Sequence, residues 1–145
     1  MPGKSVLQFL GYDVNQLRFE QKNASETGDF QITPAFKRSV TALPSDHYDV
    51  TLGILIRGSE EKPIPFEICV ELTGHFQAEF TDESEKVRQQ LTNQNTVAIL
   101  FPFLRATVAS LTLAANIPPV LLPVINLAGA FDKKEASANC ETEQE

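Results

Sequence analysis

Residue types that often carry catalysis or bind metal ions are sparse in this sequence. The only histidines, His47 and His75, lie far apart, and neither has a second ligand at the spacing of a metal-binding motif. His75 follows Gly74 near the end of a predicted strand, a position that favours a turn or another structural role. We therefore expect neither histidine to be catalytic or to bind a metal.

The two cysteines, Cys69 and Cys140, have no short spacing that would indicate a zinc site or a disulfide framework. Cys69 lies between two glutamates, whose negative charge would raise the pKa of its thiol and disfavour a nucleophilic thiolate. Reduced thiols fit a cytoplasmic protein, which is the location we expect.

Two acidic clusters have simpler explanations than chemistry. The run 60–62 resembles a solvated hairpin tip, and Asp82, Glu83 and Glu85 fit the start of a helix better than a cation site. The sequence contains neither a glycine-rich phosphate loop nor a set that combines nucleophile, base and oxyanion donor. It therefore predicts a protein that is not an enzyme and that has no cofactor.

The composition indicates one soluble globular domain. The chain has 145 residues, of which 42% are hydrophobic and 21% charged. Its net charge of −7 argues against binding to nucleic acids or anionic membranes. Residues 97–115 are apolar enough to suggest a membrane span, but Arg105 near the middle would cost about 2.5–3.5 kcal/mol on insertion, so we expect no integral membrane span.

The elements that must position any site begin with four predicted strands. Apolar and polar residues alternate in residues 15–21, 30–43, 47–58 and 65–76, and short links rich in turn residues favour antiparallel neighbours. Phe36, Val40 and Leu43 are expected to point inward, with Pro34 requiring an edge or a bulge. Residues 1–14 fit either a short helix or an extended arm, with Gly11 as a plausible stop.

Two helices are predicted to follow, the first over 83–91 and the second from Thr96 to about Asn116, kinked or initiated at Pro102. The second is apolar around most of its circumference. Its only weakly polar side comprises Arg105, Ala109, Thr112 and Asn116. One sheet in so small a domain cannot bury such a helix, so the remainder must meet another subunit or a ligand. Residues 132–145 indicate a disordered acidic tail.

The stretch "NIPPVLLPVINL", residues 116–127, is apolar, yet Pro118, Pro119 and Pro123 exclude a helix or a central strand. An extended segment stiffened by proline would present apolar side chains that have little entropy left to lose on binding. The alternative is that the segment seals the core of its own subunit. The segment can do both, with some side chains sealing the core and others available for binding, since alternate residues of an extended segment point in opposite directions.

The segment "ILFPFLRATVASLTLAANIPPVLLPVINLAGAF", residues 99–131, resembles the bacterial protein-export chaperone family SecB. That family has a helix beginning with an "ILFPY" motif, followed by a crossover of the "FPPLLLPPINF" kind. Phe103 replaces the usual tyrosine, and Ala106 and Thr107 stand where an acidic residue is common. With weaker matches in the strands, the resemblance covers most of residues 13–131, so we expect one SecB-like domain over 1–131.

The resemblance implies an α+β fold, in which helices pack on one face of a four-stranded antiparallel sheet and a proline-rich crossover loop follows. It implies dimers that pair into tetramers and bind unfolded preproteins without ATP for delivery to the translocase motor SecA. Clients would lie between the crossover, the long helix and the sheet. The expected client-binding residues are Ile117, Val120, Leu121, Leu122, Val124, Ile125, Leu104 and Val108.

The family's motor-docking surface is acidic and lies on the outer face of the sheet. Of the three positions that carry this charge, Glu20 keeps it, whereas Gln16 and Cys69 do not. Glu67 and Glu71 flank Cys69 on the same face, so the expected docking residues are Glu20, Glu67 and Glu71. This divergence leaves open a SecB-like chaperone dedicated to an antitoxin-type partner. A small hydrophobic-ligand carrier is a further alternative.

Overall fold

The computed structural model describes residues 6–22, 32–59, 63–79, 85–117 and Leu122. The predicted tail over 132–145, and hence the domain limit at 131, lies outside these residues and stays a prediction. The described elements are β1 (Val6–Gln21), β2 (Ala35–Leu43), β3 (His47–Ile56), β4 (Phe66–Glu79), α1 (Glu85–Gln90) and α2 (Thr96–Ala114).

The four strands form one sheet in the order β1-β4-β3-β2, and every neighbouring pair is antiparallel. This confirms the predicted four-stranded antiparallel sheet. Pro34 directly precedes β2, an edge strand of this sheet. The position fits a residue that has no N–H to donate to a second neighbour.

Strand β1 corrects the expectation for the first residues. Of the two alternatives for residues 1–14, the extended arm is right from Val6 onward, and the strand continues through Gly11. The pairing with β4 shifts between Phe9 and Gly11 and again between Val14 and Gln16. Gly11 has φ of 120°, which a residue without a side chain adopts readily, so it supports a bulge where a stop was expected.

The two faces of the sheet differ as the alternation predicts. Buried apolar side chains such as Leu52, Ile54 and Val70 form the core beneath the helices, whereas the opposite face, here called the outer face, carries mostly polar residues. Leu43 was predicted to point inward, which is wrong: it lies on the outer face and is 39% exposed. Arg38 occupies an inward position instead and donates a hydrogen bond to the Asn93 carbonyl at 3.1 Å.

The two predicted helices are joined. A π-helical turn, Leu91–Asn95, connects α1 to α2 without a break. The Thr96 hydroxyl donates to the Thr92 carbonyl at 2.7 Å across this junction, so a buried hydroxyl is satisfied inside the helix. Helix α2 begins at Thr96, as predicted, and Pro102 lies within it, so of the two alternatives for Pro102, initiation of the helix is wrong.

Helix α2 rests on the sheet through a row of buried residues, centred on Leu100 and Leu104, which are both fully buried. A Cβ added at Gly74 would lie 2.9 Å from Leu100 Cδ1. The missing side chain therefore lets the helix approach β4 closely. Fully burying a leucine contributes about 1.5–3 kcal/mol, so this row is the main attachment of the helix layer.

Residues 85–114 are long and apolar enough to cross a membrane by length and composition alone. The core helix of a soluble protein passes the same test, and one such helix is weak evidence. One side of α2 packs against the sheet. The expected absence of a membrane span stays a prediction.

Replacing Leu100 by alanine should lower the free energy of unfolding by about 2–5 kcal/mol, because the vacated volume above Gly74 cannot fully collapse. Leu113→Ala is the matched control on the same helix: Leu113 is 67% exposed, and its loss should cost less than about 0.5 kcal/mol. Urea unfolding followed by circular dichroism measures both. Equal losses would contradict the packing of α2 described here.

Candidate functional site

The expected client-binding residues divide into two groups. Val120, Leu121, Val124 and Ile125 lie outside the described residues. Leu104 and Val108 are fully buried against the sheet, Leu122 is 3% exposed, and Ile117 is half-buried against the same core. All four side chains pack into the protomer's own core, and for Ile117 and Leu122 this is what the alternative for the proline-rich stretch predicted. Their client-binding role stays a prediction.

A trough lies on the side of α2 that faces away from the sheet. It has a volume of about 230 Å³ and is lined by Pro102, Arg105, Ala106, Ala109 and Leu122. The helix residues recur at the spacing of a single helix face. The small side chains of Pro102, Ala106 and Ala109 leave space on the helix, and Leu122 lies beside them. We call this feature the α2 trough.

The client-binding residues expected from the sequence include Leu122 but none of the four helix residues in the trough. The sequence did contain a signal for them, since the long helix was predicted to have more apolar surface than one sheet can bury. That surplus surface includes Pro102 and Ala106, whereas Arg105 and Ala109 were assigned to the weakly polar side of the helix. The predicted client-binding residues are all large and apolar, so proline and alanine are not among them.

A second apolar surface lies where β1 extends past α2. It consists of Tyr12, Val14, Leu17 and Phe103, and we call it the edge strip. Their exposed fractions run from 36% for Tyr12 and Phe103 to 52% for Leu17. The rings of Tyr12 and Phe103 have centroids 4.9 Å apart, so strand and helix are held together beneath an open apolar surface.

The outer face of the sheet carries Glu67, the first of the predicted docking residues, within a group of cations. Its carboxylate lies 3.0 Å from Arg57, 3.2 Å from Arg18 and 3.7 Å from Lys22. Burial alone would raise the pKa of Glu67, but hydrogen bonds and charge from Arg57, and then from Arg18, hold it below its usual value. Glu67 therefore stays ionised while its charge is locally offset.

The other two docking residues are also paired. Glu71 contacts Lys37 at 2.9 Å, and Glu20, whose side chain is 53% exposed, lies 3.4 Å from both Arg18 and Lys22. The structure thus brings Glu20, Glu67 and Glu71 onto one face, each beside a cation. This arrangement differs from a bare acidic patch.

Cys69 lies on the outer face, is fully buried and is disulfide-bonded. The expectation of a reduced thiol at this position is therefore wrong. Among the residues that the structure describes, Leu55, its cross-strand partner at 6% exposure, forms a small apolar cluster with it. The sequence placed Cys69 on a solvated face and gave no reason to expect its burial.

His75 connects three strands on the outer face. Its Nδ1 lies 2.8 Å from Asp49 Oδ1 on β3, and its Nε2 lies 2.8 Å from Asp13 Oδ2 on β1. The hydrogen bond with Asp49, followed by that with Asp13, raises the pKa of His75. Within the described residues, no group of three or more His, Cys, Asp or Glu residues is arranged to hold a metal ion. The contacts are consistent with a structural role.

The stability contributed by His75 should depend on pH. Its folded pKa is raised, so the contribution is fully present below the unfolded value of 6.5 and is lost as pH rises through the folded pKa. The stability difference between wild type and His75→Gln should therefore shrink from about pH 5.5 to about pH 9. The loss should stay below about 1 kcal/mol, because water screens a partly exposed pair. Urea unfolding at several pH values measures it, and a constant difference would contradict the assignment.

Comparison with known proteins gives matches over most of the chain. The family model "Preprotein translocase subunit SecB" matches residues 4–138. An uncharacterized protein of Methanocaldococcus jannaschii is 31% identical over 148 residues, covering 99% of this chain and 94% of that protein. The protein-export protein SecB of Anaplasma phagocytophilum is 37% identical over 92 residues, covering 61% of this chain and 57% of its own length.

A further curated relative, the protein-export protein SecB of Maricaulis maris, is 26% identical over 130 residues, covering 86% of this chain and 74% of that protein. Among solved structures, a Mycobacterium tuberculosis SecB-like chaperone in complex with a ChAD peptide from an antitoxin superposes with a TM-score of 0.66. It is 16% identical, and the match covers 82% of this chain and 90% of that one. The likeness supports the α+β fold described above.

Proposed function

Since this chain belongs to the SecB family, a family of chaperones rather than of enzymes, we propose that it holds non-native polypeptides unfolded without ATP, for delivery to the export translocase. The observation that carries the proposal is the α2 trough beside Leu122. It combines the long helix with a residue of the crossover, two of the three elements between which the family resemblance implies a client groove.

Two open apolar surfaces support binding with little sequence selectivity. The edge strip and the α2 trough both include apolar residues that are open to solvent, such as Phe103 in the strip and Pro102 in the trough. Apolar burial contributes about 25 cal/mol per Å² whatever the client's sequence. Because both surfaces are attached to a packed core, they lose little conformational entropy when a client binds.

The same surfaces support assembly. The side of α2 that faces away from the sheet has small residues, such as Ala106 and Ala109, which allow another helix to approach closely. The proposal therefore includes a homodimer or homotetramer in the cytoplasm, with no membrane span, cofactor, catalytic activity or nucleic-acid partner. The net charge of −7 supports the last point.

Replacing Ala106 by glutamate should weaken the holding of an unfolded client by at least about tenfold, because a carboxylate in the trough must lose water as the client binds. Light scattering of an aggregating client at rising chaperone concentrations measures this. Native mass spectrometry with and without client, on the same samples, reports assembly.

Ser110→Glu is the matched control, since Ser110 is exposed on α2 and does not line the trough. It should leave both holding and assembly unchanged. Equal effects of the two variants would contradict the trough as the client site. If Ala106→Glu changes the native mass as well as holding, the trough belongs to the subunit interface instead.

The finer part of the proposal is that SecA docks at Glu20, Glu67 and Glu71. Each carboxylate faces a cation, so docking requires SecA to compete with Arg18, Lys22, Lys37 or Arg57.

A chaperone dedicated to an antitoxin-type partner is a second candidate. The offset charge on the docking face favours it, since such a protein has no need to recruit the motor.

Docking through this face predicts opposite effects for two partners in one ion pair. Glu71→Gln should weaken SecA binding up to about fivefold, and Lys37→Gln should strengthen it, because the second change leaves the Glu71 charge uncompensated. Isothermal titration calorimetry measures both, with Glu85→Gln, an exposed change on α1, as the control. No change in either variant would argue against SecA docking here and favour the dedicated partner.

The hydrophobic-ligand carrier has less support. The α2 trough, at about 230 Å³, is smaller than the roughly 300–1,000 Å³ of common ligand pockets. Arg105 is the only charged residue among those lining it. The trough therefore fits a side chain of a polypeptide better than an enclosed small molecule.

A further inference from the structure

Helix α2 carries a single charged side chain, and that side chain borders the α2 trough. Arg105 is the only charged residue of Thr96–Ala114. It is exposed, and it lines the trough together with the proline, the two alanines and the leucine described above. The one cation of an otherwise uncharged helix therefore lies at the surface proposed to bind clients.

Within the described residues, this cation has no acidic partner. No carboxylate there lies within ion-pair distance of Arg105. The positions three and four residues away, where a carboxylate would meet it on a helix surface, are Phe101, Pro102, Val108 and Ala109. By contrast, the four cations described above on the outer face all pair with glutamates. The guanidinium of Arg105 therefore has donors to offer to a bound chain.

The negative charge of the whole protein acts only weakly at the trough. The carboxylates of the outer face are separated from it by the sheet and by a helix about 10 Å in diameter. Glu85, at the start of α1, lies on the same continuous helix, roughly 30 Å from Arg105 at about 1.5 Å per residue. Both separations exceed the Debye length of about 8 Å at physiological ionic strength, so the nearby cation dominates.

We propose that the α2 trough selects client segments in which an acidic side chain lies next to an apolar one. The apolar side chain packs against Pro102 and Ala106, and the neighbouring aspartate or glutamate accepts hydrogen bonds from Arg105. This inference rests on the proposed function, because it names the kind of polypeptide segment that the same surface prefers.

The two contributions differ in what they decide. Apolar burial depends on area and not on sequence, so it supplies most of the affinity for any client. A guanidinium binds a carboxylate through two parallel charge-assisted hydrogen bonds, which an uncharged amide of the same shape cannot accept. Because Arg105 is exposed, water screens the pair, and the preference is limited to about fivefold.

The test compares two peptides that differ in one functional group. Both are dye-labelled, acetylated and amidated, and they carry Leu-Leu-Asp or Leu-Leu-Asn within the same glycine–serine sequence. Fluorescence anisotropy with the full chain should give a dissociation constant about three- to fivefold lower for the Asp peptide. In Arg105→Gln the ratio of the two constants should fall to about one, and in Arg105→Glu it should reverse.

Lys86→Gln is the matched control, since Lys86 is an exposed cation on α1 that does not line the trough. It should keep the wild-type ratio. Equal binding of the two peptides by the wild type, or an unchanged ratio in Arg105→Gln, would overturn the inference. So would tighter binding of a third peptide that ends in Leu-Leu with a free terminal carboxylate, because the preferred group would then be a chain end.

A separate measurement on the same samples keeps this inference apart from the proposed function. Light scattering of an aggregating unfolded client reports holding without reference to acidic residues. Suppressed aggregation without a preference for the Asp peptide would overturn only the selectivity. Failure to suppress aggregation, with neither peptide bound, would contradict the holding function as well.

Discussion

The structure depends on a mismatch in surface area: helix α2 has more apolar surface than the sheet can cover. The helix is apolar around most of its circumference, and a sheet can cover only one side of it. Leu100, Leu104 and Val108 fill that side and are fully buried. Pro102 and Ala106 remain on the opposite side, beside Leu122, and form the α2 trough. Stability and binding surface therefore come from the same helix, divided by the direction in which each residue points.

Alternation and turn residues predicted most of the fold. The four strands, their antiparallel pairing and the single helix layer all follow from patterns that depend on local sequence. The errors occur where tertiary contacts override local preference. Thr112 was placed on the weakly polar side of α2 but is fully buried, because its hydroxyl donates to the Val108 and Ala109 carbonyls. Leu43, at the end of a strand, follows the β2 register rather than its own hydrophobicity.

The candidate site was predictable in part. The chain's polar strand face correctly grouped Glu20, Glu67 and Glu71, because strand parity fixes which side chains share a face. Their cationic neighbours were not predictable, since Lys37 reaches Glu71 from β2, two strands away in the sheet. Likewise, large apolar residues such as Leu104 and Val108 drew attention as binding residues, whereas their size is what buries them in the core.

The two irregularities in β1 have a consequence for a protein that meets unfolded chains. An uninterrupted edge strand offers a template on which another backbone can grow as a further strand, the first step of co-aggregation. The shifts after Phe9 and after Val14 divide this edge into short runs that differ in phase. A passing polypeptide therefore cannot extend a continuous ladder along β1. It must be bound through its side chains, and it can then dissociate without breaking a row of backbone hydrogen bonds between strands.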